Sequence, residues 1–130
     1  MIKKLIITCA LLISVCFQAN SKTSAPPKEF FACWKASYEE NDEKTKTQVY
    51  RPCTNTFRPS MFRLEIEFFA DGKCKFLHAG ETDAHYYVEG KWSYNKKTKA
   101  VTVTDDKGVM MYKFKIKEAK KDGLKIISLN

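Results

Sequence analysis

The stretch Phe62-Arg63-Leu64-Glu65-Ile66-Glu67-Phe68, followed by Asp71-Gly72 and then Cys74, Phe76 and His78, decides the fold. Apolar Phe62, Leu64, Ile66 and Phe68 alternate strictly with Arg63, Glu65 and Glu67, the pattern of a half-buried strand with one wet face. Asp71-Gly72 supplies the positive φ of a tight hairpin, and Cys74, Phe76 and His78 begin the return strand.

The same period continues downstream. Tyr86, Val88, Gly90, Trp92 and Tyr94 share one face, and Asn95-Lys96-Lys97-Thr98 turns the chain into Val101 and Val103. Asp105-Asp106-Lys107-Gly108 leads to Tyr112, Phe114 and Ile116, alternating with Lys113, Lys115 and Lys117. Asp122-Gly123 opens a last strand over Leu124 to Leu129. Adding Phe30 to Tyr38 upstream, the spacing predicts about seven to eight short strands and no long helical stripe. A sheet of this kind twists and closes to remove its edges, so an all-β, small antiparallel up-and-down barrel or half-barrel is expected. Residues 39 to 61 are polar, contain Pro and do not alternate; they are expected to form a long loop, a lid over one barrel mouth.

Upstream of the strands, Met1-Ile2-Lys3-Lys4 and the apolar run Leu5 to Phe17 form the basic and apolar parts of a signal peptide, residues 1–19, with Ala19 before the cut. A run of thirteen residues is too short for a permanent membrane span. The expected location is the periplasm or outside the cell. The alternative is a lipoprotein anchored through Cys16, which follows Ile13-Ser14-Val15. Residues 20–29 (with Pro26-Pro27) read as a flexible N-terminal segment, and 30–130 as the barrel domain. The full chain of 130 residues carries 23 basic and 15 acidic side chains. Removing Lys3 and Lys4 with the signal leaves 21 basic against 15 acidic, a net of +6. Cys33, Cys53 and Cys74 remain, which allows one disulfide and one thiol, with three pairings open.

The motifs Ala32-Cys33-Trp34, Glu39-Glu40, Tyr50-Arg51-Pro52, Arg58-Pro59-Ser60, Asp71-Gly72, Thr82-Asp83 and Gly90-x-Trp92, in that order, resemble those of a lipocalin-like family of small bacterial exported domains. Most of that family has no assigned function. The resemblance implies a lipocalin-like barrel from Phe31 to about Leu129.

Trp34 and Trp92 are expected to plug one end of the barrel. Arg51, Arg58 and Arg63 are the only arginines beside 20 lysines. Arg makes planar bidentate contacts that Lys cannot, so their placement is informative. Glu39, Glu40 and Asp83 are the natural acceptors for an ion-pair network pinning the long loop. The sharper reading is an anion site in which Arg51, Arg58 and Arg63, with Tyr50, Trp34 and Trp92, take a small amphipathic ligand at the barrel mouth. Glu39 and Glu40, as neighbours on a strand, would face opposite ways and do not make a catalytic pair. Cys74 and His78 lie about 13 Å apart along one face, too far to share a metal without bending, and His85 completes no metal-ligand spacing. With no Gly-x-Ser-x-Gly and two histidines, no enzyme, metal or cofactor is expected.

The lysines of 113–125 form a solvated face that could meet an envelope protein or an anionic envelope surface. Nucleic acid is not an expected partner, because no recognition motif or aromatic platform is present. Filled or hollow is the deciding property. A roomy interior favours a ligand carrier, and a solid core favours a structural or interaction module of the envelope.

Overall fold

The computed structural model describes residues 25–60, 62–79 and 85–130. The predicted signal peptide, Cys16 and the Thr82-Asp83 pair lie outside the described residues. Eight strands are described: β1 (Cys33–Ala36), β2 (Thr47–Pro52), β3 (Glu65–Phe68), β4 (Lys73–Ala79), β5 (His85–Asn95), β6 (Ala100–Thr104), β7 (Met110–Lys120) and β8 (Gly123–Ser128). They close into a barrel in the order β1-β2-β8-β7-β6-β5-β4-β3, and every neighbouring pair is antiparallel.

β3 to β8 follow one another as a meander, as the alternation predicts. The first two strands are interchanged. β1 lies between β2 and β3, pairing Trp34 with Pro52 on one side and with Ile66 on the other. The seam is completed by β2 against β8, where Thr47 meets Ile127 and Tyr50 meets Leu124.

This order corrects the expected long loop. Residues 47–52 are a full barrel strand, and the turn Tyr38–Glu40 ahead of it is a single 3-10 turn. Both β2 and β3 flank β1 and run antiparallel to it, so the connection 53–64 must travel back along β1 to begin β3. It does so on the outer wall. A Cys33–Cys53 disulfide, with Cα atoms 5.5 Å apart, fixes its start, and the Phe57 ring sits under the Lys35 ammonium at 5.4 Å. Lys35 faces outward, so this segment straps β1 and is not a lid over the mouth. The first strand is also shorter than Phe30–Tyr38, because Lys28–Phe30 forms a 3-10 turn instead.

That turn caps one barrel end. Phe30 is completely buried; its ring stacks on Phe68 with centroids 4.0 Å apart and meets Trp92 edge-on at 5.7 Å. The backbone carbonyl of Phe30 accepts the Trp34 indole N–H at 3.1 Å, and the Phe69 carbonyl accepts that of Trp92 at 2.9 Å. Each indole thereby keeps a partner for its N–H, with the body of Trp34 fully buried and that of Trp92 half-buried. Trp34, Phe76, Val101, Val103, Leu124 and Ile126 fill the barrel between the ends. Burying each such side chain stabilises the fold by about 1.5–3 kcal/mol.

The turns carry their own signals. Asp71, Asn95 and Asp105 each accept the backbone N–H two residues on, at 2.9–3.0 Å. Gly90 serves closure itself: a Cβ there would lie 2.1 Å from the Thr104 carbonyl oxygen, so only glycine lets β5 and β6 approach at that point.

Candidate functional site

The arginines are held in place by carboxylates. On the Tyr38–Glu40 turn, two successive acids reach in different directions. Glu39 takes the fork of Arg63, whose Nη1 also donates to the Ala36 carbonyl at 2.9 Å and whose Nη2 donates to that of Arg58 at 2.9 Å. Glu40 takes Nε and Nη2 of Arg51 at 2.8 and 2.6 Å, while Nη1 donates to the Asp122 carbonyl at 3.0 Å. Bonding to Arg63 holds the Glu39 carboxyl at about 2, and bonding to Arg51 and Ser37 holds that of Glu40 at about 2, well below the usual carboxylate range. Glu39 and Glu40 sit on a 3-10 turn, not on the strand assumed from sequence.

The sequence-predicted ligand residues do not converge. Trp34 and Tyr50 face the interior, and Trp92 caps it together with Phe30. Arg51 and Arg63 lie on the outer wall in the ion pairs just described, and Arg58 is exposed, contributing its carbonyl to Arg63. The interior holds a cavity of about 50 Å³ bordered by Tyr50, Tyr112, Phe68 and Leu124. Burial pushes the Tyr50 hydroxyl above its ordinary pKa. Small-molecule sites typically occupy about 300–1,000 Å³. The space here is nearer that of a water molecule or two.

The remaining candidates separate as well. Cys74 and His78 point inward from β4, and His85, at the far end of the hairpin, is exposed. Glu65 Oε1 lies 3.5 Å from Cys33 Sγ, but Cys33 and Cys53 are bonded to each other and offer no thiolate to a metal. Asp83 lies outside the described residues.

What the structure does bring together is basic and on the outside. A groove of about 740 Å³ crosses the outer wall of β5, β6 and β7. Ser93, Asn95 and Thr102 line it beside Tyr94, Ala100 and Leu129, and Lys96, Lys97 and Lys113 supply charge; no acidic residue is among its described lining. Lys115, Lys117 and Lys125 continue the exposed basic surface, tempered by Glu118, which binds Lys120 at 2.8 Å and Lys125 at 3.5 Å. Lys113 belongs to the basic run legible in the sequence, whereas Asn95-Lys96-Lys97-Thr98 carries only the signature of a turn. The signal that would have found the groove is the outward parity of Ser93 and Thr102 beside that doubly basic turn.

Compared with known protein families, curated proteins and solved structures, the chain matches none.

Proposed function

We propose that this protein is a non-enzymatic, exported interaction module with a filled barrel, and that its outer groove on β5–β7 holds an anionic glycan chain of the cell envelope. The observation that carries this reading is a concave surface where Ser93, Asn95 and Thr102 stand beside Lys96, Lys97 and Lys113, with no carboxylate among its described lining. Hydroxyl and amide side chains suit sugar hydroxyls, and ammonium groups suit sulfate, phosphate or uronate charges as point contacts. A concave site favours a chain over a flat membrane. The signal-peptide pattern at residues 1–19 would deliver the protein to where such polymers are found.

Heparin, as a polyanionic glycan probe, tests it. Lys96→Ala/Lys97→Ala/Lys113→Ala is expected to weaken retention at least tenfold, whereas Lys120→Ala/Lys121→Ala leaves most of it. Equal loss from both variants, or binding to phosphatidylglycerol vesicles but not to heparin, overturns the reading.

A second reading keeps one observation. Tyr50 borders the interior cavity and is a polar side chain that a small amphipathic ligand would meet there once the cavity widens to admit it. A medium-chain fatty-acid panel that raises the Tm of the protein, but not that of Tyr50→Phe, would support it; no shift with either protein would remove it.

A further inference from the structure

We infer that the free edge of β5 over His85–Glu89 pairs with the same edge of a second copy of this chain, joining two barrels through a continuous antiparallel sheet. Backbone parity on β5 makes the argument. Trp92 N–H donates to the Gly72 carbonyl on the β4 side at 2.9 Å, and Gly90, Val88 and Tyr86 stand opposite Cys74, Phe76 and His78 of β4. The even-numbered residues therefore spend their backbone groups on β4, and His85, Tyr87 and Glu89 aim theirs the other way. On that side β6 ends at Thr104, opposite Lys91. Beyond it the chain bends back toward β7, with Asp105 N–H on the Val109 carbonyl, and no described strand stands beside residues 85–89. An open groove of about 470 Å³ separates Tyr86 and Glu89 from that turn.

A bare strand edge invites pairing, and chains commonly blunt it with lysine or proline. Here neither residue occurs from His85 to Glu89, in a sequence otherwise rich in lysine. Tyr86 and Tyr87 stand 51% and 52% exposed, the Tyr87 hydroxyl donating to Glu65 across β4 at 3.1 Å, away from the bare edge.

The edge is complementary to itself in one register. With the two-fold axis at Tyr87, the odd-numbered residues meet as hydrogen-bonded pairs: Tyr87 with the partner's Tyr87, and His85 with the partner's Glu89. An imidazole then lies across from a carboxylate on the outer face. On the inner face Tyr86 meets the partner's Val88, an aromatic against a β-branched side chain, a favourable cross-strand pair. An axis at Val88 instead sets the partner's His85 against Lys91, where Thr104 already occupies the edge.

Sedimentation equilibrium of the exported protein tests this. A monomer–dimer equilibrium is expected, weakened at least tenfold by Glu89→Lys and restored by His85→Glu/Glu89→Lys, with far-UV circular dichroism confirming the fold of each variant. Tyr87→Cys is expected to form a disulfide-linked dimer on mild oxidation, since hydrogen-bonded partners stand about 5.5 Å apart between Cα atoms. Val109→Cys, exposed but off the edge, should not. A wild type that is monomeric up to millimolar concentration overturns the inference. So does a dimer indifferent to Glu89→Lys, or cross-linking no greater at position 87 than at 109.

Discussion

Arg51 grips Glu40 through Nε and Nη2 and spends its last nitrogen, Nη1, on the Asp122 carbonyl. One side chain thus ties the Tyr38–Glu40 turn to the β7–β8 turn across the seam of the barrel, a span no lysine could bridge with a single ammonium. Arg51→Lys keeps the charge but not the fork. It is expected to lower Tm by several degrees, and Glu40→Gln in that background should add little, because the interaction is already gone. Additive losses in the double variant would show that the two act separately.

Acid is expected to release both glutamate clamps. Folding depresses Glu39 and Glu40 from 4.5 to about 2. Their contribution is therefore complete above about pH 5 and fades as pH falls through 4.5 toward 2. Thermal melts of wild type and Glu39→Gln/Glu40→Gln should differ at pH 6 and converge near pH 2. A gap that persists at pH 2 would contradict the ionic origin.

Gly90→Ala sets a methyl against the Thr104 carbonyl, 2.1 Å away and part of the backbone. β5 and β6 would have to part, at a cost of about 1–3 kcal/mol. Urea denaturation reads this directly, and an unchanged midpoint would show that the strands separate freely.

Phe30→Ala should cost about 3–5 kcal/mol, because it opens a cavity under Trp92 and Phe68 at the plugged end. Loss of the 3-10 turn would also strip the Trp34 indole of its carbonyl acceptor, so near-ultraviolet circular dichroism should flatten as stability falls. Retained tryptophan signals with full stability would refute the plug.

Cysteine chemistry should be two-sided. Cys74 is buried, and its thiol is pushed up to about 11 by that burial, so iodoacetamide at pH 8 should label it only after unfolding. Replacing Cys33 and Cys53 by Ser should cost roughly 3 kcal/mol through lost constraint on the unfolded chain. Rapid labelling of the native protein would contradict the described burial.

The alternation of residues 62–68 and the strands after it made the barrel legible, because each has one buried and one wet face. β2 escaped for a physical reason. Gln48 and Tyr50 face inward, yet Thr47 and Val49 on the other face are also buried, Asn41 receiving the Val49 N–H at 2.9 Å, so no period of two survives. The exchange of β1 and β2 leaves no local trace at all, since it is set by which distant strand each meets. The arginine partners Glu39 and Glu40 were legible from chemistry alone. That the arginines do not face one cavity was not, because whether an outward residue lies at a mouth or on a wall depends on strand order.

The seam between β2 and β8 also governs when the barrel can form. Thr47 must wait for Ile127, far along the chain, before either strand gains its second neighbour. A nascent chain emerging amino-end first would hold its opening hairpin unsatisfied until Gly123–Ser128 had followed. Trimming even the final strand should leave an open, sticky sheet in place of a slightly smaller barrel.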